Sequence, residues 1–115
     1  MEKIDKKRLE LIETLLNKVV SRLYPVVKHM TVEGPNLTKS YFNKLINLYT
    51  IKVYTTIPEG ITIDNYWDSE YADMDFSWMG YHHVNEMLTY LSINPDDFIR
   101  DILVYNENDE LIGEF

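Results

Sequence analysis

The chain has 115 residues and a formal net charge of −8 at neutral pH, and 45% of its residues are hydrophobic. These values are typical of one folded domain with an apolar core, and they exclude a disordered chain. Because the chain contains no cysteine, disulfides, zinc–thiolate sites, iron–sulfur clusters and cysteine nucleophiles are excluded as well. We therefore predict a single globular domain over residues 1–115.

Two amphipathic helices are predicted in the first half of the chain. Residues 4–24 place apolar side chains at three- and four-residue steps, with Asp5 as the N-cap and Pro25 at the end of the helix. An extended piece over residues 26–32 and a turn at residues 34–36 should follow. Thr38 is a suitable second N-cap, and the spacing of the next apolar residues predicts another helix over residues 39–49.

The apolar period then changes to two. Residues 51–57 alternate apolar and polar side chains, which is typical of a half-buried strand. Residues 58–60 contain proline and glycine and predict a turn, so residues 61–63 are expected to complete a β-hairpin. Residues 64–78 show neither period, and we expect an ordered loop there.

Two more helices are predicted in the second half. Gly80 precedes an apolar stripe over residues 84–91 that has helical spacing. Asn94, followed by Pro95 and two aspartates, is typical of a helix start, and the apolar residues between 98 and 103 should lie on that helix.

A terminal hairpin completes the predicted fold. Apolar residues 104–105 and 111–112 flank a polar turn over residues 106–109. The resulting fold class is α+β, with about four helices packed on a small, mainly antiparallel sheet built from hairpins.

Charge is divided unevenly along the chain. Residues 1–52 contain ten basic and five acidic side chains and carry +5. Residues 53–115 contain fourteen acidic side chains and a single basic one, Arg100, and carry −13. Such asymmetry suggests an interaction surface, although folding that interleaves the two halves would mix the charges.

Residues 64–81, which we call the acidic-aromatic segment, are chemically the most distinctive part of the chain. Aromatic rings alternate there with carboxylates, and no lysine or arginine occurs between Lys52 and Arg100. One interpretation is a protein-binding surface, because exposed rings supply contact area and carboxylates attract a basic partner. The other is that the rings fill the core and the acids only solvate a loop. The predicted binding residues are Asp64, Tyr66, Trp67, Asp68, Glu70, Tyr71, Asp73, Asp75 and Trp78.

Catalytic and metal motifs are not found in the sequence. A calcium loop beginning at Asp73 fails because Trp78 occupies the glycine position. No serine lies in a Gly-x-Ser-x-Gly elbow, and the glycines are isolated. His82, His83 and Glu86 lack the HExxH arrangement, and exposed polar residues at a helix start explain them better. We therefore predict no catalytic residue, no metal ligand and no cofactor.

The leading functional hypothesis is a small, non-catalytic, acidic factor that occupies a basic surface of another protein, as an inhibitor, immunity or antitoxin-like protein does. One alternative is a self-assembling component in which the oppositely charged halves of neighbouring copies pack together to form a homo-oligomer. A second alternative is a metal-dependent enzyme that uses carboxylates with His82, His83 and Glu86.

Location and other partner classes are predicted from absences in the sequence. No secretory signal or membrane segment is visible, so a cytoplasmic protein without membrane contact is expected. Direct nucleic-acid binding is not expected, because the net negative charge opposes contact with phosphates.

Overall fold

The computed structural model describes residues 4–38 and 46–115. Over these residues the chain forms two α-helices, four strands and short 3₁₀ turns. The helices are α1 (Lys6–Leu23) and α2 (Phe76–Tyr90), and the strands are β1 (Val27–Thr38), β2 (Ile46–Thr55), β3 (Ile99–Tyr105) and β4 (Leu111–Glu114). Neither helix is apolar over a stretch that would cross a lipid bilayer.

The four strands form one mixed sheet in the order β1-β2-β3-β4. β1 and β2 are antiparallel, β2 and β3 are parallel, and β3 and β4 are antiparallel. Parallel neighbours require a long connection, and the chain between β2 and β3 supplies it with the acidic-aromatic segment and α2. The acidic-aromatic segment is therefore part of the crossover.

Both helices contribute to one hydrophobic core against a single face of the sheet. Alternate strand residues are fully buried there, among them Ile51, Val53, Ile102 and Val104. Gly80 lets α2 approach β3 closely, because a Cβ atom at this position would overlap the side chain of Ile102.

The opposite face of the sheet carries a row of stacked rings. His29 lies on β1, Tyr54 on β2 and Tyr105 on β3, and the centroids of neighbouring rings are 4.6 and 5.0 Å apart. The acidic-aromatic segment lies on the other, helical side of the sheet, because its Tyr66 and Phe76 side chains are part of the hydrophobic core.

The first predicted helix is confirmed as α1. Asp5 is its N-cap, and the Asp5 carboxylate accepts a hydrogen bond of 2.8 Å from the Arg8 amide. Leu9, Ile12, Leu16 and Val20 of the predicted apolar stripe are buried, whereas Leu23 at the end of the helix is exposed. Pro25 follows the C-cap residue, Tyr24. Local spacing and capping were sufficient here because both features act within one or two turns of helix.

The α+β class fits the structure, but the prediction of four helices is wrong. Residues 46–49, assigned to the second helix, begin β2, and residues 39–45 lie outside the described residues. Asn47 and Tyr49 continue the inward alternation of Ile51 and Val53. Pairing with β1 on one side and β3 on the other satisfies the backbone of this segment and overrides its helical spacing.

The fourth predicted helix is a single 3₁₀ turn followed by a strand. The Asn94 side chain caps the turn Pro95–Asp97, as its sequence suggested, but the helix does not continue. β3 follows, with Arg100 and Ile102 facing inward. The alternation of inward and outward residues in this strand is not visible as an alternation of apolar and polar residues, because one of the inward positions is an arginine.

The predicted hairpin over residues 51–63 is also wrong, whereas the terminal hairpin is confirmed. Residues 61–63 form no strand, and β2 pairs with β1 and β3 instead. β3 and β4 pair antiparallel from Tyr105 and Leu111 onward. The turn expected at residues 34–36 is a register irregularity inside β1, where Gly34 has a φ of +129°.

Candidate functional site

The acidic-aromatic segment folds as two 3₁₀ turns followed by the start of α2. The turns are Tyr66–Asp68 and Glu70–Asp73. Asp75 is the N-cap of α2, and its carboxylate accepts a hydrogen bond of 2.9 Å from the Trp78 amide. The segment is thus ordered, as expected, but α2 begins four residues before Gly80.

Tyr66 and Phe76 anchor the segment to the core. Each side chain is 1% exposed. The Tyr66 hydroxyl donates to the carbonyl oxygens of Tyr71 at 3.0 Å and Met74 at 3.4 Å. These bonds tie both ends of the second 3₁₀ turn to one buried ring, so the neighbouring side chains project from a firm base.

The other predicted binding residues lie at or near the surface. Trp67 and Trp78 are 69% and 57% exposed. Tyr71 is half-buried. The carboxylate residues Asp64, Asp68, Glu70, Asp73 and Asp75 are all exposed. Of the nine predicted binding residues, only Tyr66 lies in the core.

Carboxylates of the acidic-aromatic segment have no lysine or arginine partner among the described residues. The lysine and arginine ion pairs found there join Asp5 to Arg8 and Glu33 to Lys52. Two basic residues of the first half are therefore paired with acids of that same half.

Arg100, the one basic side chain of the second half, points into the protein. It is 6% exposed, and its guanidinium donates to the carbonyl oxygens of Phe98 and Tyr81 and to Asn85 Oδ1 at 3.2, 3.3 and 2.6 Å. Burial lowers the Arg100 pKa to about 10, which leaves the group charged at neutral pH. The second half of the chain therefore supplies no exposed lysine or arginine to the carboxylates of the acidic-aromatic segment.

Folding adds further acids that sequence reasoning missed. Glu107 lies in the turn between β3 and β4. The pKa of Tyr71 is raised by burial, then by the charge and hydrogen bond of Glu70, and further by Glu107. Glu107 Oε1 accepts from the Glu59 amide at 3.3 Å, and Asn108 donates to the Glu59 carboxylate. No local pattern signals these neighbours, because they lie far from Tyr71 along the chain.

A cleft of about 310 Å³ opens beside Trp67. Its walls include the Trp67 and Phe115 rings together with Asp73 and Asp75. The two ring centroids are 5.9 Å apart and nearly edge to face. Carboxylates beside an indole suit the side chain of a lysine or arginine, which gains an ionic contact and a cation–π contact together.

A histidine–glutamate cluster, formed by His82, His83 and Glu86, borders the segment on α2. His82 Nε2 and Glu86 Oε1 are 2.6 Å apart, and the His82 ring stacks on Trp78 with centroids 4.4 Å apart. His83 is 8% exposed, which differs from the exposed placement expected from the sequence. Its burial follows from the helix face it occupies, beside the fully buried Val84.

The anchoring role of Tyr66 predicts a specific alkaline weakening. Burial and the nearby negative charge of Asp75 raise the Tyr66 pKa from 10.0 to about 12. Between these values the unfolded chain loses the phenol proton while the folded chain keeps it, so stability must fall as the pH rises. We expect the free energy of unfolding, measured by urea titration, to fall by up to about 2 kcal/mol more in the wild type than in Tyr66→Phe across this window.

Comparing the wild type with Tyr66→Phe removes the contribution of the other titrating groups, because both proteins contain them. Tyr66→Phe should start less stable by about 1 kcal/mol at neutral pH because two hydrogen bonds are lost. Curves that stay parallel from neutral to strongly alkaline pH would contradict the predicted proton linkage.

Comparisons with models of known protein families, with curated proteins and with solved structures found no match to this chain. Its function must therefore be argued from its own residues.

Proposed function

We propose that this protein is a non-catalytic binding factor whose acidic-aromatic segment occupies a basic surface of another protein, in the manner of an inhibitor, immunity or antitoxin-like protein. The observation that carries the proposal is the exposure of Trp67 and Trp78 among carboxylates that have no cationic partner within the described residues. We also propose a cytoplasmic location. The chain contains no cysteine, so its fold does not depend on disulfides that form in an oxidising compartment.

Unpaired carboxylates support a basic partner on electrostatic grounds. A surface of one sign attracts the opposite sign over about a Debye length, roughly 8 Å at physiological salt. This attraction raises the association rate and discriminates against acidic partners. Glu107 and Glu59 extend the negative surface beyond the segment itself.

Exposed rings support protein binding rather than simple solvation. Tryptophan is enriched among residues that dominate binding energy, because a large rigid ring buries much area at a small entropic cost. Trp67 forms one wall of the cleft that also contains Asp73 and Asp75. A lysine or arginine of the partner would enter this cleft and act as the central anchor of the complex.

Charge neutralisation at the segment should weaken binding in a salt-dependent way. The test variant changes four exposed acids to their amides and leaves Asp75 in place, because Asp75 caps α2. At about 50 mM salt we expect an affinity at least about tenfold lower than that of the wild type, and a smaller difference at about 500 mM. The substitutions are Asp64→Asn, Asp68→Asn, Glu70→Gln and Asp73→Asn.

A control variant with the same net charge separates a local effect from a global one. It neutralises four exposed acids outside the segment and should retain the wild-type affinity. Partners captured from native lysate by the wild type provide the ligand, and calorimetry on the purified complex gives the affinity and stoichiometry. Equal losses in both variants would refute a local site. The control substitutions are Glu10→Gln, Asp96→Asn, Asp109→Asn and Glu110→Gln.

The two alternatives from the sequence stay predictions. Self-association predicts a molecular mass, measured by light scattering, that increases with protein concentration. Metal-dependent catalysis predicts the turnover of a substrate that depends on the metal ion.

A further inference from the structure

We propose that His82, His83 and Glu86 bind a divalent metal ion, and that zinc is the ion that suits them. One ligand atom from each of these side chains lies within 4.8 Å of the other two. This proposal does not depend on the proposed protein-binding function, and measurements of metal binding alone can test it.

The buried nitrogen of His83 is the observation that points to a ligand. His83 is 8% exposed, and its Nδ1 atom is fully buried without a hydrogen-bond partner among the described residues. Leaving such an atom without a partner destabilises the folded state. Nδ1 lies 4.0 Å from Glu86 Oε2, too far for a hydrogen bond but suitably placed for an ion between them. A metal ion would satisfy this atom.

Tyr24 prepares His83 for this role. Its hydroxyl lies 3.3 Å from His83 Nε2, the ring nitrogen remote from the cluster. When Nε2 carries the proton and donates it to Tyr24, the Nδ1 lone pair faces Glu86. Metal-binding histidines commonly donate their second nitrogen in this way, which sets the tautomer and the ring orientation.

The distances require only side-chain movement. Zinc–nitrogen and zinc–oxygen bonds of about 2.0 to 2.1 Å at tetrahedral angles place ligand atoms about 3.3 Å apart. The His82–Glu86 distance of 2.6 Å must therefore lengthen, and the His83–Glu86 distance of 4.0 Å must shorten. His82 and Glu86 have side chains that are 40% and 54% exposed, so both have room to adjust.

Ligand chemistry selects zinc over harder ions. Two imidazole nitrogens with one carboxylate oxygen suit zinc, copper or nickel, whereas calcium and magnesium prefer oxygen ligands only. Three protein ligands leave the fourth zinc position for water, as in sites built from two histidines and one glutamate. The exposed side of His82 and Glu86 is where that water would lie.

Thermal unfolding of the untagged, metal-free protein tests the proposal. About 100 μM zinc chloride should raise the Tm by at least about 4 °C, because a ligand that binds only the folded state stabilises it, and excess chelator should reverse the shift. Glu86→Gln and His82→Gln should each lose most of the shift. His29→Gln, which changes the exposed histidine of the open sheet face, should retain it.

Trp78 supplies a second, local readout. Its ring stacks on His82, so copper or nickel bound there should quench its fluorescence. The chain has two tryptophans, and Trp67→Phe leaves Trp78 as the only tryptophan, whose emission is selected by excitation at the red edge of indole absorption. Quenching by nickel should persist in Trp67→Phe and disappear when Glu86→Gln is added. Tyr24→Phe should weaken nickel affinity about tenfold or more without removing a ligand.

Several results would overturn the zinc site. They are the absence of a zinc-dependent Tm shift, a shift of equal size with magnesium, and a shift or quenching that survives in Glu86→Gln and His82→Gln. Unchanged urea midpoints of these two variants in the presence of chelator establish that they fold normally, so a lost response reports the lost ligand.

Discussion

Replacing Arg100 by alanine should lower the free energy of unfolding by about 3 to 4 kcal/mol. The guanidinium is buried, bonded to two carbonyl oxygens and to Asn85 Oδ1. It also lies over the Tyr81 and Phe98 rings, 4.6 and 5.4 Å from their centroids. Alanine would remove these contacts, strand the acceptors and leave a cavity. Urea denaturation monitored by circular dichroism measures the loss.

Arg100→Met is the matched variant for this prediction. Methionine fills much of the vacated volume and removes a buried charge whose desolvation is costly, so the loss should shrink to about 1 to 2 kcal/mol. Arg8→Ala, at a partly exposed arginine of α1, should cost less than about 1 kcal/mol. A loss at Arg100→Ala as small as the one expected at Arg8→Ala would contradict the predicted contribution of the inward arginine to stability.

Arg100→Met also bears on function. Because the guanidinium is buried and pairs with none of the carboxylates of the acidic-aromatic segment, this variant should bind the basic partner with wild-type affinity. A large change in affinity would mean that Arg100 affects the binding surface. That result would contradict the assignment of Arg100 to the stability of the fold alone.

Removing both exposed indoles, by Trp67→Ala with Trp78→Ala, should weaken partner binding by about 30-fold to 1,000-fold while changing stability little. These rings are exposed in the free protein, so their truncation removes little core packing. In a complex they would be desolvated against the partner and supply much of the contact energy. Calorimetry with the captured partner gives the affinity, and urea denaturation gives the stability.

Tyr90→Ala is the control for this prediction. Tyr90 is 81% exposed at the far end of α2, outside the acidic-aromatic segment. Its removal should leave the affinity unchanged. If Tyr90→Ala weakened binding as much as the loss of Trp67 and Trp78, the interface would have to lie elsewhere.

Helical predictions succeeded where local signals agreed and failed where apolar runs were short. In α1, the spacing, the Asp5 cap and Pro25 all indicated the same helix. In the segments that became β2 and β3, four or five apolar residues were compatible with both a helix and a strand. Strand neighbours decided between these structures, and they come from distant parts of the chain.

The candidate site was predictable as a stretch of sequence but not as a surface. Alternation of acids and rings over residues 64–81 is visible without a fold. Neither the burial of Tyr66 and Phe76 nor the exposure of Trp67 and Trp78 follows from that alternation, because the 3₁₀ turns have no extended apolar period. The segment therefore combines the two interpretations considered from the sequence, with some rings in the core and others outside.

By itself, the sequence determined the α+β class, the first helix, the terminal hairpin and the excess of acid in the second half. Each depends on composition or on interactions between residues close in the chain. Only the tertiary structure decided that Arg100 turns inward, that Glu107 contacts the Glu59 amide and that His83 is buried beside Glu86. These outcomes depend on which distant segments pack together. The packing is decided by the burial of apolar side chains and the pairing of strands across the whole domain, which no local pattern contains.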